Sequence, residues 1–536
     1  MSWPSGKSKK RVVQSKRSQS AVQAVTRPVA IVVLMALAAA LLANSMTKEV
    51  SRDEQMYCTA GVLLSQGEMI YRDFSYPSQL PYHPLLLAAV YKGLGTTHYL
   101  LAGRLVSAIC DILVVIFILL IYRSVLGEHR HAGLLFGLAA ALLYVFNPVV
   151  DYAAGYAWNH DVVILCVVLS LWLFITTDFQ HRSRFWRVGI MGGLLTLATG
   201  MRVTTAVVEL LFLVAIWFAA GGSWKNRSKT ALPFSLTALA VLIWPIWVIA
   251  QAPQAFWLNL VRIPALYGRW LHEIGMTYGK VALTVSSLLT PGYLVLLALV
   301  AYLIWASLRS SSSLSHQERW KAGLAALLPL AFFVIAYIPP TMWQQYLAVP
   351  VPFLTIALAY PLLALCRRAE KSEGSGRYKA ASCLMGIAAA VSVLAYPVVL
   401  YRSIFILVPE RWTPVELHKE SLDLTAKVKK PAVVLTLGPL YALEGGCDIY
   451  RELACGSIIY RVADRMSVEE RQITRTVGPK TLDELVKSCP PAAVIVGVES
   501  SRFSFLEDPL RRWIPSDWPR ETGKSTRQVY LRPPPR

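Results

Sequence analysis

Apolar runs of about 17 to 25 residues recur along most of the chain, separated by short polar segments, and runs of this length are typical of membrane-spanning helices. The fifth and sixth runs are short and adjoin at Thr199–Thr204, which indicates a shallow helical hairpin. We therefore predict an α-helical polytopic membrane protein. Its eleven predicted spans lie at residues 29–46, 99–122, 132–148, 160–177, 188–201, 204–220, 231–250, 284–307, 322–338, 346–365 and 381–401.

The hydrophobic pattern changes after residue 401. Strand-like runs at 432–437 (AVVLTL) and 492–498 (AAVIVGV) alternate with a helical pattern at 481–489 (TLDELVKSC). We predict a small α/β domain over residues 402–536. Cys447 and Cys455 lie within it, and the spacing leaves open both a disulfide between them and two free thiols.

Composition and charge agree with a membrane protein. The chain is 55% hydrophobic and 16% charged, whereas soluble domains carry about 25% charged residues. The net charge of +21 is concentrated in residues 1–28 and in short loops between predicted spans, which is the positive-inside pattern and makes a nucleic-acid partner unnecessary. With residues 1–28 as a cytoplasmic tail and an odd number of spans, the domain at 402–536 is expected outside the cytoplasm.

Two long outer loops, 47–98 and 251–283, interrupt the predicted membrane domain, 29–401. The first opens with adjacent carboxylates, Asp53 and Glu54, directly after the first span. Ser51 and Glu54 also fit a capping box, so a purely structural role for Glu54 is open. An amphipathic stretch and a proline-punctuated aromatic stretch follow, which predicts two short helices lying on the membrane surface.

The order of residues in this loop resembles the first external loop of the GT-C glycosyltransferases, in the branch with the protein O-mannosyltransferases and the lipid A aminoarabinose transferase. Weaker matches are Asp161 at the start of the fourth span, Arg202 at the hairpin tip, and Tyr346 before spaced prolines. The chain departs from the pattern at His83, where the aminoarabinose transferase has Lys, and at Gln345, where relatives often have His. The matching loop segments are Asp53-Glu54, Ser65-Gln66-Gly67, Tyr71-Arg72-Asp73 and Pro81-Tyr82-His83-Pro84-Leu85.

The resemblance implies transfer of a sugar, with inversion, from a polyprenyl-phosphate donor to a lipid, glycan or protein acceptor. Asp53 is the expected general base, and Glu54 is expected to orient the sugar or to cap the helix. Candidates for binding the donor phosphate are Arg202, Arg72, Arg262 and His83. Supporting residues implied by the same motifs are Asp161, Tyr71, Asp73 and Tyr346.

Three further questions are open from the sequence. Some GT-C relatives use a divalent metal, around which Asp53, Glu54 and Asp161 could gather, although no ligand spacing requires one. Arg104 and Asp111 share one face of the second span and are expected to form ion pairs with each other or with neighbouring helices. The alternative function is a transporter or flippase of lipid-linked sugars, which the absence of an internal repeat disfavours. We expect a bacterial plasma membrane with a periplasmic C-terminal domain.

Overall fold

The structure is a computed structural model that describes residues 28–276, 279–308, 314–371, 375–522 and 527–533. The predicted basic tail lies outside the described residues except for Pro28. The remaining chain forms a large helical region followed by a smaller region that contains a β-sheet.

Helices account for most of the described chain between residues 28 and 403. In order they are α1 (Pro28–Thr47), α2 (Arg52–Ser65), α3 (Tyr82–Leu94), α4 (Tyr99–Val125), α5 (Arg130–Val145), α6 (Pro148–Ala153), α7 (His160–Thr176), α8 (Arg184–Thr199), α9 (Ala206–Ala219), α10 (Trp224–Gln251), α11 (Pro253–Trp257), α12 (Ile263–Glu273), α13 (Lys280–Leu288), α14 (Pro291–Leu308), α15 (His316–Tyr337), α16 (Gln344–Ala348), α17 (Pro350–Ala357), α18 (Ala359–Glu370), α19 (Ser375–Ala395) and α20 (Val398–Ser403).

Seven helices of the described chain are long and apolar enough to cross a membrane: α1, α4, α10, α14, α15, the continuous segment Gln344–Glu370, and α19. The shorter apolar helices are His160–Thr176, Val203–Ala219 and Val398–Leu407. Every predicted span coincides with helical structure, and the hairpin predicted at Thr199–Thr204 is the turn between α8 and α9. The count of eleven spanning helices is not confirmed, because several of these helices are too short to span by length alone.

The outer faces of the long helices support an integral membrane protein. Leu239 and Ile243 on α10 and Leu394 on α19 are each more than 60% exposed, whereas Tyr122 and Val114 on α4 are fully buried among other helices. A soluble protein rarely exposes continuous apolar faces of this kind. Such faces are expected where lipid replaces water as the solvent.

The first outer loop folds as the sequence predicts, into two short helices. Ser51 caps α2: its Oγ accepts from the Asp53 N–H at 3.2 Å, while the Glu54 carboxylate accepts from the Ser51 N–H at 2.9 Å. The capping box is therefore confirmed. Gly61 of α2 faces α3 so closely that an added Cβ would lie 2.8 Å from Leu87 Cβ, which explains a glycine at this position.

The C-terminal region contains a five-stranded mixed sheet made of β1 (Val433–Leu435), β2 (Asp448–Ile449), β3 (Ala493–Val496), β4 (Arg520–Thr522) and β5 (Gln528–Leu531). The strand order is β2-β1-β3-β5-β4. β1 pairs in parallel with β2 and β3, and β5 pairs antiparallel with β3 and β4. The strands predicted at 432–437 and 492–498 are present as β1 and β3. The helices of this region are α21 (Thr413–Thr425), α22 (Pro439–Glu444), α23 (Ser457–Ala463), α24 (Val468–Thr474), α25 (Leu482–Ser488) and α26 (Asp508–Trp513).

Cys447 and Cys455 do not form a disulfide: both are buried and free. The Cys455 thiol instead donates to the Ser75 carbonyl oxygen at 3.0 Å, in the first outer loop. Further contacts join the C-terminal region to this loop, including the Gln55 side-chain oxygen, which accepts from the Leu440 N–H at 3.0 Å. The C-terminal region therefore packs directly on the helices that carry the acidic pair.

Candidate active site

A cavity of about 540 Å³, which we call the main cavity, opens where the outer loops meet the helical bundle. Its polar wall comes from separate parts of the chain: Asp53 on α2, residues 158–160 before and at the start of α7, Arg202 in the α8–α9 turn, Tyr267 on α12 and Tyr346 on α16. The fold therefore brings together groups that are nearly 300 residues apart in sequence.

Another part of the wall is apolar and belongs to a spanning helix. Phe332, Ile335 and Ala336 of α15 line it, together with Leu260 and Val349. A cavity with a charged region beside apolar helical surface can accommodate a molecule that has a polar head and a hydrocarbon chain.

Asp53 presents its carboxylate to the main cavity from the first turn of α2. Within the described structure the carboxylate accepts no hydrogen bond. Burial raises the pKa of Asp53 to about 6, while the positive charges of Arg461 and then Arg52 act in the opposite direction. A carboxylate with a pKa near neutrality is well suited to take a proton from a substrate.

Glu54, the next residue, is fully buried and does not line the main cavity. Arg104 holds both of its oxygens, with Nε–Oε1 at 2.8 Å and Nη2–Oε2 at 2.9 Å, and the Ala157 N–H donates to Oε1 at 2.8 Å. Arg104 thus pairs with a neighbouring helix and not with Asp111, which accepts from Tyr144 Oη at 3.2 Å. These contacts indicate that Glu54 holds α2 against α4.

Arg202 lies at the tip of the α8–α9 turn and lines the main cavity. Its Nη2 donates to Asn159 Oδ1 at 3.0 Å, and the Asn159 amide in turn donates to the Met201 carbonyl at 3.0 Å. Tyr57 and Tyr346 lie within electrostatic reach of both Arg202 and Asp53, so the cation and the carboxylate face a shared space.

The other predicted phosphate-binding residues do not line the main cavity. Arg72 forms a surface pair with Asp73 at 2.7 Å, and Arg262 Nε lies 3.1 Å from Glu470 in the C-terminal region. His83 is buried against the Tyr57 ring, and burial, with the nearby charge of Arg202, lowers the pKa of His83 to about 3. His83 is therefore neutral near pH 7 and lies outside the main cavity.

The predicted supporting residues divide in the same way. Tyr346 lines the main cavity, whereas Tyr71 is buried and donates to the Gln79 carbonyl at 2.6 Å. Asp73 accepts from the Met69 N–H at 2.7 Å and closes the turn between α2 and α3. Asp161 is fully buried at the start of α7 and accepts from the Gly155 N–H at 2.9 Å. These last three residues hold the loops that shape the cavity.

Comparison with solved structures identifies the architecture. ArnT from Cupriavidus metallidurans in the apo state aligns with a TM-score of 0.57 and 14% identity, covering 96% of this chain and 98% of that chain. The form of ArnT bound to undecaprenyl phosphate aligns with a TM-score of 0.56 and 14% identity, over 95% of this chain and 98% of that one. This chain has the GT-C fold. The resemblance predicted from the first outer loop is thereby confirmed at the level of the fold.

A weaker alignment is found with the Archaeoglobus fulgidus oligosaccharyltransferase in complex with Zn and sulfate, at a TM-score of 0.48 and 11% identity over 86% of this chain and 67% of that chain. No protein-family model and no curated protein matches the sequence. The identification of the GT-C fold therefore rests on three-dimensional structure.

The carboxylates proposed for a metal in this GT-C fold do not converge. The oxygens of Glu54 are held by Arg104, and Asp161 does not line the main cavity beside Asp53. Within the described ranges, no group of three or more His, Cys, Asp or Glu side chains is arranged to bind a metal ion. The residues present do not fit a metal centre built from Asp53, Glu54 and Asp161.

Sequence reasoning missed several residues of the candidate site. Arg52 lines the main cavity and pairs with Glu499 at 2.9 Å, and Arg461 on α23 acts electrostatically on Asp53. Tyr267 and Trp158 add aromatic surface to the wall. The abundance of aromatic residues at 251–283 was the available signal for Tyr267, whereas nothing local marks Arg461.

Proposed function

We propose that this protein transfers a sugar from a polyprenyl-phosphate donor to an acceptor hydroxyl or similar group at the outer face of the membrane. The observation that carries the proposal is that Asp53 and Arg202 line one cavity whose wall is partly apolar and includes α15, a helix long and apolar enough to cross a membrane. Support comes from the GT-C fold shared with ArnT, of which one structure contains undecaprenyl phosphate.

In the proposed step, Asp53 accepts the proton of the acceptor hydroxyl as the acceptor oxygen attacks the anomeric carbon of the donor. The bond from the anomeric carbon to the phosphate oxygen breaks, and polyprenyl phosphate leaves with the electron pair. Attack opposite the leaving group inverts the configuration. At neutral pH most Asp53 carboxyls are ionised, because their pKa is about 6.

The leaving group is a phosphate ester, which requires a cation at the boundary between water and lipid. Arg202, which is hydrogen-bonded to Asn159 and lines the same cavity as Asp53, is the candidate for this cation. A preorganised guanidinium facing the developing charge can lower the barrier by several kcal/mol, roughly 3 to 4 in comparable sites. Tyr267, Trp158 and Tyr346 supply aromatic surface suited to a sugar ring.

The experiment is a transfer assay with purified protein in vesicles, polyprenyl-phosphate-linked sugars and a panel of lipid, glycan and peptide acceptors. Asp53→Asn keeps the shape of the side chain but removes the proton acceptor, and we expect transfer to fall by about 10²- to 10⁴-fold. Asp423→Asn is the matched control, because it makes the same change at an exposed position of α21 that does not line the main cavity.

Two results would overturn the proposal. One is transfer by Asp53→Asn at the rate of the parent protein. The other is a parent protein that moves lipid-linked sugar across vesicles and never transfers it, which would establish the transporter alternative.

A further inference from the structure

Arg461, on α23 of the C-terminal region, is a buried cation close to the proposed active site. Arg461 is only 4% exposed. The guanidinium carbon lies 5.0 Å from the ring centroid of Trp270, 5.3 Å from that of Phe503 and 5.7 Å from that of Tyr267. Tyr267 itself lines the main cavity, so Arg461 stands directly behind the cavity wall.

No carboxylate pairs with this guanidinium in the portion of the chain that the structure describes. Nε donates to the Ser457 carbonyl at 2.7 Å, Nη2 to Ser457 Oγ at 2.6 Å, and Nη1 to Tyr267 Oη at 3.4 Å. A guanidinium carries five N–H donors, so two remain beyond these three bonds. By contrast Arg465, one turn further on, pairs with Glu273.

A charge removed from water without an acidic partner is destabilising, so its retention calls for an interaction with another charge. Two carboxylates act on Arg461: first Glu499, which Arg52 already holds at 2.9 Å, and then Asp53, which accepts no hydrogen bond from the described residues. Of the charged groups around the Asp53 carboxylate, Arg461 acts most strongly, ahead of Arg52. Both cations favour the ionised carboxylate and oppose the effect of its burial.

The other groups near Asp53 do not replace Arg461. Arg52 is held by Glu499, and Glu54, which opposes ionisation of Asp53, is itself held by Arg104. Three tyrosines near Asp53 carry no charge near pH 7: Tyr57 on the same helix, and Tyr267 and Tyr346 across the cavity. The charge of Arg202 acts electrostatically on Tyr57.

We propose that Arg461 is a positioning residue for the transfer: through its charge, the C-terminal region holds the Asp53 carboxylate ionised and facing the acceptor. The inference rests on the proposed function for its catalytic consequence, but not for the electrostatic contact itself. It gives the C-terminal region a direct part in the active site, beyond covering the outer loops.

The contact is tested first without any transfer reaction. Asp53→Cys places a thiol at position 53, and its pKa is measured from the pH dependence of its alkylation by iodoacetamide, followed by peptide mass spectrometry. In this background Arg461→Gln is expected to raise the thiol pKa by about one unit. At a pH below the thiol pKa of either protein, the thiolate fraction would then be about tenfold lower than with Arg461 in place. Arg461→Lys is expected to restore most of the shift.

Arg465→Gln is the matched control, since it removes the same charge from the same region and also breaks a contact to α12. It is expected to leave the thiol pKa unchanged. If Arg461→Gln fails to fold, Arg461→Met carries the test, because an apolar side chain of similar length suits the aromatic surroundings. Equal thiol pKa values with and without the charge at position 461 would overturn the inference.

The second readout is the pH dependence of kcat/KM for transfer with Asp53 in place. Loss of the Arg461 charge is expected to move the acid limb to higher pH by the same amount and to leave the rate at high pH nearly intact. A thiol shift in proteins that never transfer sugar would support the electrostatic contact and contradict the proposed function. A rate loss equal at every pH would overturn the positioning role.

Discussion

Two sides of the first turn of α2 can be compared directly, because they carry the same chemical group. On one side, Asp53 faces a cavity, and its carboxylate accepts no hydrogen bond from the described residues. On the other, Glu54 is fully buried and accepts from Arg104, Ala157 and Ser51. Successive residues on a helix point about 100° apart, so one turn serves two environments.

The difference shows how a single helical turn can leave one carboxylate facing a cavity while its neighbour is fully paired. Glu54 satisfies the buried charge of Arg104 and ties α2 to α4, while its link to Ser51 closes the cap. Asp53 is then left unpaired on a rigid backbone. Glu54, whose carboxylate is fully hydrogen-bonded, contributes to stability. Asp53, whose carboxylate accepts no hydrogen bond from the described residues, is available for chemistry.

The largest expected effect comes from Glu54→Ala, which leaves the Arg104 charge buried and unpaired. We expect a loss of about 3 to 5 kcal/mol in the free energy of unfolding, because the remaining guanidinium keeps its desolvation penalty. Thermal unfolding in detergent measures it. Asp53→Asn is expected to leave the melting temperature unchanged or slightly higher, since it removes a carboxylate whose burial is unfavourable. Equal destabilisation by the two changes would contradict the division of roles.

A smaller effect is expected from Ser51→Ala, which removes the cap shared by both carboxylates. The expected loss is about 1 kcal/mol, together with slower transfer, because Asp53 is bonded through its backbone to the Ser51 hydroxyl. Ser467→Ala removes an equivalent capping box at α24, away from the main cavity. If Ser51→Ala and Ser467→Ala reduced the transfer rate equally, the cap of α2 would have no effect on the site beyond general stability.

Much of the local structure around α2 could be predicted from the sequence. The capping box, the two loop helices and the placement of Asp53 depend on neighbours within a few residues, and all are present. The α8–α9 turn with Arg202 at its tip follows from two adjoining apolar runs in the same way.

Long-range partners could not be predicted. Arg262 and Glu470 are separated by 208 residues, and Arg104 and Glu54 by 50, so no periodicity connects them. For this reason Arg262 looks like a phosphate ligand in the sequence, whereas in the structure it pairs with Glu470. Arg72 pairs instead with its neighbour Asp73 at the surface. Arg461 escaped prediction for the converse reason: an arginine in the C-terminal region gives no local sign that it will be buried beside α2.

The most direct test of the central claim is the pH dependence of kcat/KM for sugar transfer by the parent protein. A protonated Asp53 cannot accept the acceptor's proton, so the rate should fall tenfold for each pH unit below a midpoint near the Asp53 pKa of about 6. The residual transfer of Asp53→Asn should lack this limb. A rate that is constant from well below pH 6 to neutrality, or a limb that persists in Asp53→Asn, would contradict the account.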